Sequence, residues 1–248
     1  MSDNVFITGG CGLIGSAVAE AFYDEGYSVV VLDTNEAIVN LRHELPFETY
    51  YFDITKTENH AEALAELRSS FGAIQNWVNC AYPKTAGYSV NGLDKLDGRD
   101  WHNNTTAQLD SICLLSSCVA AVMASHGGGN IVNVASIYGM VSPRFGIYPG
   151  GKNVSPPVYS AIKAGIINYS RYLACYYAAE GVRVNCVSPG GVFNHQDPNF
   201  VHNYSETVPI GRMASGDEIA GPILFLCSEK ATYVTGVNLP VDGGWTAM

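Results

Sequence analysis

Tyr159 and Lys163 stand four positions apart, and Ser136 precedes Tyr159 by 23. The pattern predicts a helix over 158–178, where residues i and i+4 share a face and a phenol would lie beside an ammonium. A free tyrosine ionises near pH 10, at about the value that a neighbouring positive charge lowers. A phenol tuned in this way exchanges a proton with a substrate oxygen near neutral pH, with Ser136 to hold that oxygen. Taken alone, a Tyr-x-x-x-Lys pair also fits an ordinary amphipathic helix. The chemical reading needs support from the rest of the chain.

That support begins near the start, with Thr8-Gly-Gly-Cys-Gly-Leu-Ile-Gly15. Gly10, Gly12 and Gly15 satisfy G-x-G-x-x-G, which gives a tight turn, close backbone approach to a pyrophosphate, and close packing of helix on strand. The pyrophosphate would sit on a helix N-terminus, where free N–H groups and the dipole favour negative charge. Gly9, Leu13 and Ile14 complete the expected contact. The match lies between an apolar strand, Val5–Ile7, and the helical pattern SAVAEAFYDEG, with a second strand, Ser28–Leu32, ending at Asp33. This is the context the fingerprint requires. A carboxylate at 33 can accept hydrogen bonds from both ribose hydroxyls and would repel a 2′-phosphate, and Thr34 and Asn35 supply no cation. NAD is therefore expected in preference to NADP. The alternative is a structural glycine turn without a ligand.

The elements that would carry these residues alternate. Tyr50–Phe52, Trp77–Asn79, Asn130–Ala135, Val182–Val187 and Val237–Val241 read as strands. Asn59–Ser70, Thr105–Ser125, the segment from Tyr159 to about Gly181, and Asp217–Ser228 read as helices. Such alternation over 248 residues, with no Pro/Ser-rich linker and no repeat, predicts one α/β domain spanning 1–248. Its doubly wound parallel sheet of Rossmann type would carry helices on both faces. A formal net charge of -10 without a Lys/Arg run argues against nucleic acid and anionic membranes as partners. No signal sequence and no apolar run of membrane-spanning length are read. The seven cysteines are scattered without C-x-x-C spacing, which fits reduced thiols in a cytoplasmic protein and no metal site.

Together these residues resemble the short-chain dehydrogenase/reductase family along essentially the whole chain. The matching pieces are Thr8–Gly15, Asp53-Ile54-Thr55, Asn79-Cys80-Ala81, Ser136, Tyr159-x-x-x-Lys163, Ser188-Pro189-Gly190 and Val241-Asp242-Gly243-Gly244. The resemblance implies that Asp53 and Ile54 hold the adenine, and that Asn79 and Ala81 line the segment under the nicotinamide ribose. Pro189, Gly190 and Val192 would line the nicotinamide face. Tyr159 would carry the proton, Lys163 would bind the ribose and lower the phenol's pKa, and Ser136 would orient the substrate oxygen. Three departures stand out. The spacing T-G-x-x-G-x-x-G is that of the family's longer sugar-nucleotide branch, although the short C-terminal part matches the single-domain branch. Cys80 and Tyr82 replace two residues of the usual Asn-Asn-Ala-Gly. The helix asparagine of the proton relay is replaced by Gln108, with Asn103 and Asn104 one turn earlier.

The stretch between Ser136 and Tyr159 is longer than the family's usual one and carries an insertion at about 142–157. It holds Arg144, Phe145, Tyr148 and Lys152. Arg can fork onto a carboxylate or phosphate and aromatic rings can stack on a sugar, so Arg144, Tyr148 and Lys152 are candidate substrate contacts, with Tyr82. The alternative is that Arg144 and Lys152 are solvated loop charges. A covering segment is expected at about 192–212, where His195 is either a polar contact or a surface loop residue. These loops resemble those of oxidoreductases in flagellin and surface-glycan modification, which implies a sugar or sugar-phosphate alcohol as substrate. The rival readings are a nucleotide-sugar epimerase or dehydratase retaining NAD, a 3-oxoacyl-type ketoreductase, and a non-catalytic dinucleotide sensor. Apolar faces on the Thr105–Ser125 and Ile162–Ala178 helices suggest a homodimer or homotetramer.

Overall fold

Strand β1 (Asn4–Thr8) alternates its side chains across a sheet that is covered on both faces. Val5 and Ile7 join one core and Phe6 the other. A computed structural model describes residues 3–34, 38, 46–85, 93, 96–149 and 156–248. The further strands are β2 (Ser28–Asp33), β3 (Glu48–Tyr51), β4 (Asn76–Asn79), β5 (Gly129–Val134), β6 (Val182–Pro189) and β7 (Asn238–Val241). All pair in parallel, in the order β3-β2-β1-β4-β5-β6-β7. The chain turns outward in opposite directions from β1 and β4, so a crevice opens at their carboxyl ends.

The helices are α1 (Leu13–Asp24), α2 (His60–Phe71), α3 (Gly98–Asn104), α4 (Ser111–Ala124), α5 (Pro157–Tyr177), α6 (Pro198–Thr207) and α7 (Gly216–Cys227). Leu64 and Leu67 of α2, Ile112 and Leu115 of α4, and Ile162 and Ile166 of α5 pack with Phe6 and Trp77 on one face. Val18 and Phe22 of α1 and Ile219 and Ile223 of α7 pack with Val5, Ile7 and Val31 on the other.

Two elements differ from the sequence expectation. The helix expected from Thr105 begins at Gly98, where Asp97 caps it by accepting from the Arg99 and Asp100 amides. It passes through a π-helical stretch, Thr105–Asp110, before α4. The resulting 27-residue rod, Gly98–Ala124, has by length and composition alone what a membrane span needs, as core helices of soluble proteins also can. Its Ile112, Leu115, Val119 and Met123 are buried against the sheet, as in a core helix. The second difference is α6, which lies within the expected covering segment. Asp197 caps it and Pro198 occupies its first turn.

Candidate active site

The glycine turn joins β1 to α1 at the mouth of the crevice. A Cβ on Gly15 would lie 2.1 Å from the Gly9 carbonyl oxygen, so only hydrogen fits where α1 crosses the turn. The Gly12 amide donates to the Gly9 carbonyl (3.0 Å) and the Gly9 amide to the Leu32 carbonyl (2.7 Å). No acidic side chain occupies the first turn of α1, so its positive end is left for an anion. Asp33 closes the turn from β2. Its Oδ2 accepts from the Cys11 amide (3.0 Å) and its Oδ1 from the Thr34 amide (2.7 Å). These bonds fix the carboxylate at the edge of the crevice. The cradle and this carboxylate fit a dinucleotide.

The crevice is a cleft of about 920 Å³, lined among others by Gly9, Gly12, Leu13, Ile14, Gly15, Asp33, Asp53, Ile54, Ala81 and Tyr82, then by Ser136, Tyr159, Lys163, Pro189, Gly190 and Val192. Asp53 is held in a tight turn, accepting from the Thr55 amide (2.9 Å) and hydroxyl (2.6 Å). Pro157 opens α5 and places Tyr159 in its first turn, with Lys163 one turn on. Ser136 follows β5 and reaches the same place because Gly139 lets the chain touch α5. A Cβ there would lie 2.7 Å from the Lys163 carbonyl carbon.

Lys163 is buried, and its Nζ donates to the Val134 carbonyl (3.0 Å). Burial lowers its pKa to about 8, against a smaller opposing pull from Cys186 and Cys80. Burial also holds the Tyr159 phenol above its ordinary value, partly offset by its hydrogen bond to Ser136. In the protein without a bound dinucleotide, desolvation is the dominant influence on this phenol and acts against the lowering expected from Lys163. The Ser136 hydroxyl also accepts from the Tyr138 amide (3.1 Å), which orients it.

Several expected residues lie elsewhere. Gly10 is not part of the cleft lining; its α-carbon is pressed against Val31, and a Cβ would lie 2.6 Å from Cγ1. Asn79 sits in the core. Its Oδ1 accepts from Trp77 Nε1 (2.8 Å) and its Nδ2 donates to Asn133 (2.7 Å) and Ser116 (3.1 Å), so it ties β4 to β5 and α4. Gln108 falls in the π-helical stretch, buried and away from the cleft lining. Its Nε2 donates to the Pro83 carbonyl (3.0 Å), and its Oε1 has no hydrogen-bond partner among the described residues. Its amide is committed to holding the loop after β4, not presented to the cleft. Arg144 stacks on Trp245 at 4.7 Å instead of reaching into the cleft. Tyr148 shares a hydrogen bond with the Tyr138 hydroxyl (2.5 Å) and stacks on Phe200 of α6, again outside the lining. His195 is exposed, with a left-handed φ of 54°, and packs on Phe193. Lys152 lies outside the described residues.

The cleft lining also holds Lys84, Asn194 and Gln196, which the sequence reading did not single out, and Thr34, Thr55 and Cys80, which it named without a contact role. Gln196 braces its loop by donating to the Val192 carbonyl and accepting from the Asn194 amide, both at 2.7 Å. His60 supports the Asp53 turn from below, its Nε2 donating to the Ile54 carbonyl (2.8 Å). Tyr204 of α6 pins the strand exit by accepting from the Gly191 amide (2.7 Å). Neither His60 nor Tyr204 has a local pattern that announces this role; both act through contacts distant in sequence.

A family model described as enoyl-(acyl carrier protein) reductase matches residues 12–246. The chain is similar to cis-4-hydroxycyclohexanecarboxylate dehydrogenase of Sinomonas cyclohexanicum, at 33% identity over 98% of this chain and 96% of the relative. It is also similar to post-translational flagellin modification protein A of Campylobacter coli, at 28% identity over 97% of each chain. Among solved structures, a short chain dehydrogenase from Leptospira borgpetersenii with bound NAD+ superposes with a TM-score of 0.88 and 33% identity, covering 99% of this chain and 93% of that one. A gluconate 5-dehydrogenase from Burkholderia cenocepacia, in complex with NADP and tartrate, gives a TM-score of 0.86 and 25% identity, covering 100% and 97%.

Proposed function

Because the chain belongs to the short-chain dehydrogenase/reductase family and is an oxidoreductase of alcohols and ketones, we propose that it uses NAD and acts on a sugar or sugar-phosphate alcohol. The observation that carries this reading is the single cleft shared by the glycine turn, Asp33, Ser136, Tyr159 and Lys163. The glycine turn and the N-terminus of α1 would receive the pyrophosphate, Asp33 the adenosine ribose, and Asp53 with Ile54 the adenine. Bound there, the nicotinamide supplies hydride donor and acceptor chemistry. Ser136 donates a hydrogen bond to the substrate oxygen. Tyr159 holds the proton that this oxygen gains on reduction or loses on oxidation. Lys163 places a positive charge beside the phenol and favours the ionisation that burial opposes.

Asp33 supports NAD because the Cys11 and Thr34 amides fix its carboxylate at the end of β2, where it can meet the ribose hydroxyls and sets a negative charge against a 2′-phosphate. The polar lining from Asn194, Gln196 and Lys84 supports a hydroxyl-rich substrate, with Lys84 as the cation suited to a phosphate. The resemblance of the substrate loops to those of oxidoreductases in flagellin and surface-glycan modification supports this substrate class, and a flagellin modification protein is among the relatives.

Paired titration calorimetry tests the cofactor assignment. NAD should bind more tightly than NADP by about tenfold or more, the scale of one or two charge-assisted hydrogen bonds. Asp33→Ala should abolish that preference. Failure of the protein to bind either dinucleotide would overturn the reading. A panel of sugar alcohols and their phosphates, followed by the absorbance of reduced nicotinamide, then tests the substrate class.

A further inference from the structure

Tyr82 leaves the end of β4 and lines the cleft beside the Tyr159–Lys163 pair. Its ring meets that of Tyr159 edge to face, with centroids 5.7 Å apart and planes at 87°. Lys163 Nζ lies over both rings, 5.4 Å from the centre of Tyr82 and 5.6 Å from that of Tyr159. Among the described residues no carboxylate forms an ion pair with this ammonium. The titratable groups facing it are the Cys80 thiol and the Tyr82 phenol after β4, the Cys186 thiol on β6 and the Tyr159 phenol on its own helix. Burial pushes the Cys80 thiol up to about 12 and the Cys186 thiol up to about 11, so both are neutral near pH 7. Among the described residues, the groups that stabilise the charge are one carbonyl dipole and the negative faces of two aromatic rings.

We propose that Tyr82 is a positioning residue whose ring caps the Lys163 ammonium and keeps it charged beside the Tyr159 phenol. The edge-to-face contact with Tyr159 fixes the phenol in the same act. A cation over an aromatic face within about 6 Å gains most where it is desolvated, and Lys163 is 5% exposed. The consequence for catalysis rests on the proposed roles of Tyr159 and Lys163, but the contact itself can be measured without cofactor or substrate.

The chain has six lysines, so lysine labelled with carbon-13 at Cε gives a short set of NMR signals to titrate. The Lys163 signal is assigned by its loss in Lys163→Arg. Wild type, Tyr82→Phe and Tyr82→Leu are then titrated without added ligand. Phe keeps the ring, and Leu keeps apolar bulk but removes the aromatic face. In the Leu variant the Lys163 midpoint should fall by about half to one pH unit, while the Phe variant should match wild type. A Leu variant titrating like wild type would overturn the proposal, as would a Phe variant that falls as far as Leu. Tyr82→Met repeats the test if the Leu variant does not fold. Failure of the cofactor reading would appear separately, as absent dinucleotide binding with the titration unchanged.

Discussion

Lys163 must stay an ammonium in a place that penalises charge, and that conflict can be measured. Its pKa lies at about 8 in the folded chain against an ordinary 10.5. Below pH 8 the side chain is charged in both folded and unfolded states, and the folded state carries the full desolvation cost. Between pH 8 and 10.5 the unfolded chain binds more protons, so stability from this residue rises with pH; it is lost again as pH falls through 8. Lys163→Met should therefore be more stable than wild type at pH 7, by roughly 1–3 kcal/mol once the lost bond to the Val134 carbonyl is counted. Urea unfolding at pH 7 and at pH 10 checks this. The gain should shrink at the higher pH, and equal stability at both would contradict the buried-charge account. At this scale the legible residues were those whose partners lie close in sequence: Tyr159 with Lys163 at helical spacing, and the glycines of one turn. Asn79, Gln108 and Arg144 were misplaced because their partners, Asn133, Pro83 and Trp245, are brought to them only by the fold.

The elements transmit close packing to the site through positions that accept no side chain. At Gly15 a methyl would meet the Gly9 carbonyl oxygen at 2.1 Å, the Gly10 α-carbon at 2.8 Å and the Gly9 carbonyl carbon at 2.8 Å, all backbone. Gly15→Ala can be accommodated only by moving α1 off the turn, and it should cost about 2–4 kcal/mol and remove dinucleotide binding. At Gly12 the nearest atom to an added methyl is the Gly9 oxygen at 3.2 Å. Gly12→Ala should therefore fold with a loss below about 1 kcal/mol, its effect confined to binding. Thermal melting and calorimetry on the two variants separate these outcomes, and equal destabilisation would refute the distinction. The β/α alternation made the parallel sheet legible, since each strand is a short apolar run followed by a helix-period segment. The start of α3, the π-helical stretch and α6 were not legible. Gly98–Asn104 is polar and short, and α6 has mixed apolar and polar residues that read equally well as a loop.

At the scale of the whole molecule, α4 and α5 leave an apolar surface that the sheet does not use. The two helices are joined through the Ser117 and Tyr169 hydroxyls (2.6 Å). From there Tyr169, Tyr172 and Tyr176 form a ladder of near-parallel rings, with centroids 6.1 and 6.2 Å apart. Tyr172 is 62% exposed, Tyr176 63% and Leu114 on α4 48%. Tyrosine ladders give large contact area at low side-chain entropy, and a two-helix face can meet its own copy across a two-fold axis. This face is proposed to bury in a homodimer, with an interface on the order of 1,600 Å² in total. A formal net charge of -10 opposes association of two chains, so added salt should strengthen the dimer, the reverse of an interface held by opposite charges. Light scattering should give twice the mass of one chain. Tyr172→Glu combined with Tyr176→Glu should give a folded monomer, because each carboxylate would meet its symmetry mate in a desolvated contact. A wild-type monomer, or a double variant that keeps its dimeric mass, would place the interface elsewhere and leave the ladder as an exposed aromatic face.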